Sequence, residues 1–414
     1  MVIFRRHDNL QKKLNHRVVF SKTLLPISLF LIQLFMGAST AEALERRDVS
    51  GELQWTSTPL QGAAGIGALS ESWVDQAHKE PSMLARRKQD FEIEFFGLSS
   101  LLSKDAANTL TDTVKAFIDS NRSESSSSAA STTANALDKV RAVFGKSMTA
   151  QSSLSLLGMR FSRFSVSPYL VSAIDVTIDN AVWPKLDALA GGYAGLLVGY
   201  AQPIKKDFDL GVVIRPGVGG FKRYELDLSL FGEALAGPQQ ALSSLDDLLA
   251  FPVAFYVPLD LAVGWWMGPS SRIHASVQNA FGAAPINDLS GTPQKIPSRL
   301  NLGFSQQIPI RGSQQQQLHF AGELQDALGM MGGWNELLMR AQVAARYTAR
   351  LPFRDQTTFG LNLGLHSGYP VASVLVDMFL AKFEFGLSAR ENGGYPGQRP
   401  NQLLSFTIRG QLQF

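Results

Sequence analysis

The chain has 414 residues, with 38 Lys and Arg against 35 Asp and Glu, and no cysteine. A formal charge of +3 leaves no basic footprint for nucleic acid, and the missing thiols exclude disulfides, thiolate metal sites and cysteine nucleophiles. The mean hydropathy of +0.01 is high for a soluble protein and low for a helical membrane protein. A barrel that hides its apolar residues at every second position leaves such an average.

At the N-terminus, Arg5, Arg6, Lys12, Lys13, Arg17 and Lys22 precede an apolar run from Leu24 to Phe35, followed by Ala41-Glu42-Ala43. This order predicts a cleaved signal peptide over residues 1–43. The run is shorter than the roughly 20 residues a spanning helix needs. Residues 44–90 are rich in Gly, Ala and Ser and lack strand periodicity.

The barrel region is expected over 91–414. Phe91, Ile93 and Phe95 alternate with Glu92 and Glu94 as a first strand. Residues 98–156 form an insertion of different character. Leu110, Val114, Phe117 and Ile118, then Leu137, Val140 and Phe144, have helical spacing, with the Ser-rich tract Ser123–Ser128 between them. The two apolar stripes either cap a ligand site or cover each other.

Beyond Gly158 the period is two almost throughout. Alternating segments fall near 157–165, 168–178, 191–202, 207–217, 252–266, 271–281, 297–307, 316–326, 336–348, 356–366, 371–378, 380–390 and 402–414. Tyr224–Leu230 is a further candidate, pairing within a loop. Connections after even-numbered strands are brief and those after odd-numbered ones are mostly long, as in bacterial barrels whose termini share one side. The last strand sets Leu404, Phe406, Ile408, Gly410, Leu412 and Phe414 against Ser405, Thr407, Arg409, Gln411 and Gln413. The fold expected is all-β: a transmembrane antiparallel barrel of about 14 strands with an N-terminal plug and a helical insertion in the first outer loop.

Catalytic signatures are missing: the sequence has no G-x-S-x-G, no H-E-x-x-H and no P-loop. No enzyme activity, metal or other cofactor is expected. His319, Glu323, Arg340, Arg346, His366, Glu384 and Arg409 take the polar parity and are candidate lumen residues, with His274, Arg215 and Asp260 beside them. Paired lumen charges that hold a plug explain them better than an anion path. Of Trp265-Trp266, only Trp266 has lumen parity.

Two stretches carry a family resemblance. Gly62-Ala63-Ala64-Gly65-Ile66-Gly67-Ala68, then Asp75, then Glu80-Pro81-Ser82-Met83-Leu84-Ala85 resembles the N-terminal signature of the long-chain fatty-acid transporter (FadL) superfamily and its PorV-like and TraF-like relatives. Glu80 and Ser82 depart from the Asn and Ala of that pattern. Gly368-Tyr369-Pro370, Arg390-Glu391-Asn392-Gly393 and Gly397-Gln398-Arg399-Pro400 look like the last hairpins of the PorV-like and TraF-like members. The terminal Phe406, Ile408, Leu412 and Phe414 resemble the strand read by the barrel-assembly machinery.

The resemblance implies a cell outer-membrane barrel in contact with lipid, with 44–90 as a hatch marked by Gly65, Gly67, Asp75, Pro81 and Leu84. It implies uptake of a fatty acid or other apolar small molecule, or else a PorV-like scaffold for a secreted or surface protein. A disordered periplasmic tail is the alternative for 44–90.

Overall fold

The computed structural model describes residues 64–87, 90–104, 147–179, 185–227, 253–280, 298–310, 316–327, 334–350, 357–378, 380–391 and 400–413. Sixteen strand segments follow one another: β1 Phe91–Ser103, β2 Ser147–Phe161, β3 Phe164–Asp179, β4 Lys185–Lys205, β5 Phe208–Ile214, β6 Gly217–Asp227, β7 Ala254–Tyr256 and β8 Leu259–Trp266. Then come β9 Ser271–Gln278, β10 Arg299–Pro309, β11 Gln316–Leu324, β12 Ala341–Arg350, β13 Thr357–His366, β14 Tyr369–Met378, β15 Ala381–Glu391 and β16 Pro400–Gln413.

Every pairing is antiparallel, β1 pairs with β16, and the β3–β4 pairing closes the ring. β5 and β6 both pair with β4, so they are two halves of one strand interrupted at Arg215-Pro216. β7 and β8 are likewise split at Val257-Pro258. Proline removes the ladder donor at each break, and the Arg215 N–H instead donates to the Pro258 carbonyl at 2.9 Å. Counting halves together gives a closed barrel of fourteen strands, as expected.

Alternation decides which side is wet. Leu98, Ile174, Phe304, Val343, Leu363 and Phe385 face outward, whereas Ser153, Ser165, Asn301, Gln342, Asn362 and Thr407 are buried within. An apolar exterior around a polar interior is the inverse of a soluble barrel, and only a bilayer accommodates it. The expected apolar face of β16 is correct: Phe406 and Ile408 point outward against Ser100 and Leu98 of β1. Phe414 lies outside the described residues.

Three boundaries differ from expectation. β1 runs to Ser103 and β2 starts at Ser147, so 98–103 and 147–156 are barrel wall rather than insertion. A bulge between Glu94 and Phe96 turns Phe95 and Phe96 outward together and reverses the parity beyond, which masks the strand in the sequence. A matching irregularity lies between Ser155 and Met159 of β2, where Leu156 and Leu157 both face out. The helices expected near 110–118 and 137–144, like the signal peptide, fall outside the described residues. Second, Tyr224 to Asp227 continue β6 along β4 and are no separate loop strand; 228–230 lie outside the described residues. Third, 334–340 form a short helix, α2 (Trp334–Arg340), before β12; Leu337 and Met339 mimic strand parity within it.

Candidate functional site

The N-terminal segment threads into the lumen. Ala64 and Gly65 both take left-handed backbone, with φ of 56° and 86°, and make a tight turn. A 3-10 turn over Gly67–Leu69 leads to α1 (Trp73–Lys79) and a second 3-10 turn, Pro81–Arg86. Ser72 caps α1, Asp75 lies in its first turn and Lys79 in its last, an order that suits the helix dipole. A seven-residue helix is marginal alone in water, so its order rests on the wall around it.

Two apolar clusters provide part of that support. Trp73, Val74, Ala77 and Leu84 pack on Tyr169, Val171, Tyr193, Leu197, Ala201, Val213, Ala254 and Tyr256. Ala64, Ile66, Ala68 and Leu69 pack on Ala321, Ala344 and Val371 across the lumen. Gly211 lets the segment approach closely: a Cβ there would collide with the backbone of Pro81 and Ser82.

Ion pairs supply the rest, from strands all round the barrel. Asp75 accepts from Arg409 of β16 at 2.6 Å and from the Ser70 hydroxyl at 2.8 Å. The same guanidinium reaches Glu94 of β1 at 3.1 Å and also donates to Ser72. Glu80 pairs with Arg272 of β9, which donates to Ser82 at 2.8 Å. Arg86 donates to both carboxylate oxygens of Asp209 on β5, at 2.7 and 2.9 Å. Trp266 donates to the same carboxylate at 2.6 Å, so its inward parity is used structurally. Arg87 holds Glu92, itself paired with Arg160 at 2.8 Å. Glu71 is held more loosely, 3.7 Å from both Arg346 and Lys382.

One belt of the wall is legible in its register. Asp209, Gly264, His274, Gly303, Glu323 and Gln342 are successive cross-strand partners on β5, β8, β9, β10, β11 and β12. The two glycines leave room for neighbours: a Cβ on Gly264 would meet the Arg272 guanidinium, and one on Gly303 would meet the His274 ring. The imidazole can therefore lie between Glu80 of the segment and Glu323 of the wall, at 3.6 and 3.5 Å.

The candidate residues divide accordingly. Arg346 donates to the Leu69 carbonyl and Arg409 holds Asp75, so both bind the segment. Glu323 faces His274, and Glu384 accepts from Asn362 and Ser373 within the wall. His319 stands opposite Arg346 on the neighbouring strand, and His366 ends β13 opposite Gln342. Arg340 closes α2 and donates to Asp326 at 2.7 Å, so it is not a strand residue.

Of the motif residues, Gly65 makes the turn, and Gly67 packs so closely on Lys79 that a Cβ would clash. Pro81 starts the second 3-10 turn and Leu84 joins the apolar cluster. Glu80 was legible only as a departure from the family pattern; its wall partner Arg272 has lumen parity and is the signal that identifies it. Among the described residues no group of His, Asp and Glu has metal-site geometry.

Burial holds His78 well below the usual histidine range, aided by Arg215 and Lys79. Burial also lowers Lys79 to about 8, with Arg299 and Arg215 adding to it and Glu323 and Asp260 opposing it.

Fold and site together define a transmembrane barrel whose lumen holds its own N-terminal segment. No family model matches the chain, and no curated protein does. Solved structures similar to it include the monoaromatic hydrocarbon channel CymD, at 11% identity over 86% of this chain and 97% of that one, with a TM-score of 0.45. The Pseudomonas putida toluene transporter TodX is 8% identical over 88% and 99%, with a TM-score of 0.44. A Pseudomonas aeruginosa FadL homologue is 9% identical over 87% and 98%, with a TM-score of 0.31.

Proposed function

We propose that the protein is an outer-membrane channel for small apolar molecules, exported by its signal peptide and closed at rest by residues 44–90 acting as a hatch. The observation that carries this reading is a tyrosine-lined apolar patch inside the lumen. Tyr169, Tyr193, Leu197, Val213 and Tyr256 face inward beside α1, where a water-filled pore would carry polar side chains. An apolar wall with few polar groups suits a hydrophobic ligand. The charged belt fixes the hatch in register, and the apolar patch marks the route. By the topology of bacterial barrels, the short-turn end carrying both termini faces the periplasm. Outer-membrane lipid and the barrel-assembly machinery are then its natural partners. No catalytic step is assigned to it.

The test is uptake of a fluorescent long-chain fatty acid, and separately of a small hydrocarbon, into vesicles holding the purified barrel, with heat-unfolded protein as control. Saturable uptake in the folded state alone supports the channel. Absence of uptake for every apolar probe refutes it and leaves the scaffold reading, in which the barrel anchors another protein.

A further inference from the structure

On the outside of the barrel, aromatic and basic side chains gather at one point of the short-turn end. Phe91, Phe161, Phe164 and Tyr200 are successive cross-strand partners on β1 to β4. Phe91 stacks on Phe161 at 6.1 Å, and Phe164 leans on Tyr200 at 4.9 Å. Phe161 and Phe164 are exposed on the lipid side, so the row belongs to the aromatic girdle at the interface of a membrane barrel.

Basic residues lie just beyond the row. The β2–β3 turn carries Arg163, whose carbonyl accepts from the Ala201 N–H of β4 at 2.9 Å. Further along, β4 ends in Ile204 and Lys205, and Lys206 follows in the β4–β5 turn. Arg163, Ile204, Lys205 and Lys206 are all exposed. Arg86 fixes this turn from within, donating to the Lys205 and Lys206 carbonyls at 3.3 and 2.5 Å.

The acids nearby are largely matched. Arg86 holds Asp209, Arg87 and Arg160 share Glu92, and Arg160 also interacts with Asp90. Within the two turns, Asp207 alone opposes Arg163, Lys205 and Lys206. The next turn on this rim, at Gly268, Pro269 and Ser270 between β8 and β9, carries no charge. The positive excess is therefore local, one step beyond the aromatic row, at the level of lipid headgroups.

We infer that the β2–β3 and β4–β5 turns form a docking site for an anionic glycerophospholipid of the leaflet at this end of the barrel. Arg163, Lys205 and Lys206 hold the headgroup, while Phe161, Phe164 and Ile204 meet the acyl chains. A free phosphate would find the cations and leave the apolar floor unused. The inference rests on the outer-membrane placement proposed above and adds to it a lipid class and its contacts. It does not depend on what the lumen carries.

Trp265 is a reporter already in place. It is exposed on the lipid side and pairs with Phe208, and the adjacent Trp266 N–H donates to the Asp207 carbonyl at 2.8 Å. The full-length protein is reconstituted in phosphatidylcholine vesicles containing rising fractions of brominated phosphatidylglycerol or brominated phosphatidylcholine. Quenching that disappears in Trp265→Phe is the signal from this site. Each basic side chain near a membrane surface contributes about fivefold, so the wild type should favour the anionic lipid by about tenfold or more at low ionic strength. Arg163→Gln/Lys205→Gln/Lys206→Gln should bring the two lipids to parity, with quenching by brominated phosphatidylcholine unchanged.

Equal association of the two lipids with the wild type overturns the inference, as does a preference that survives the triple substitution. If that variant does not fold, judged by heat-modifiable migration, the salt dependence of the wild type decides, and a preference unchanged at about 1 M salt overturns the inference. Loss of the preference on adding soluble glycerol phosphate would show a free-anion site and overturn the lipid assignment. Quenching of Trp265 by neither lipid refutes the membrane placement itself, so the two claims fail separately.

Discussion

Asp75 and Arg409 stand 334 positions apart in sequence, yet their side chains meet at 2.6 Å, both buried. One belongs to the N-terminal segment and the other to the last strand, so the segment finds a main anchor only when β16 is in place beside β1. Closing the barrel and seating the N-terminal segment are thereby linked through one guanidinium, which also holds Glu94.

Removing half of a buried pair leaves the other charge uncompensated, at a cost of about 3–5 kcal/mol. Arg409→Gln strands both Asp75 and Glu94, whereas Asp75→Asn leaves Arg409 its Glu94 partner. Hydrogen exchange over 64–87 should therefore accelerate in both variants, and more in Arg409→Gln, while exchange in β12 to β14 stays unchanged. Equal protection of the segment in the variants and the wild type would refute the anchor.

Gly211 tests the segment's seat by shape alone. Gly211→Ala places a methyl group against the Pro81–Ser82 backbone, which has no flexible side chain to move aside. The hatch should be displaced and the barrel retained. The check is raised membrane conductance with barrel melting shifted by no more than a few degrees. Conductance at the wild-type level would show that the wall, and not the hatch, yields.

Lys79 gives the seated segment a pH dependence. Burial lowers its pKa to about 8 from the ordinary 10.5. Between those values the seated segment binds fewer protons than the free one, so seating strengthens as pH rises through the window and is weaker below it. Lys79→Met should seat the hatch more firmly at pH 7 and flatten the rise between pH 8 and 10.5, read by exchange protection of α1. A wild type without that rise contradicts the assignment.

The fourteen strands were legible because period-two alternation survives wherever the wall separates lipid from lumen. It failed where geometry breaks the period: at the Phe95–Phe96 bulge, where both rings face out, and at α2, whose Leu337 and Met339 imitate a strand. The anchoring of the segment was legible in part. Arg346 and Arg409 stood out as lumen cations, and Asp75 as a motif acid, but nothing in the sequence joins Asp75 to Arg409. Glu80 with Arg272 and Arg86 with Asp209 were not foreseen, because such partners depend on how a segment without periodicity docks. The tyrosine-lined patch was missed for a related reason. Tyr169, Tyr193 and Tyr256 sit at lumen parity on separate strands, and only the register brings their rings together.

The most direct test of the central claim is single-channel conductance in a planar bilayer, comparing the protein with a variant lacking residues 44–90. A hatch that closes the lumen predicts a silent or briefly flickering full-length barrel and a steady, large conductance after the deletion. Identical traces from the two proteins would contradict the hatch and, with it, the account of how this barrel is closed.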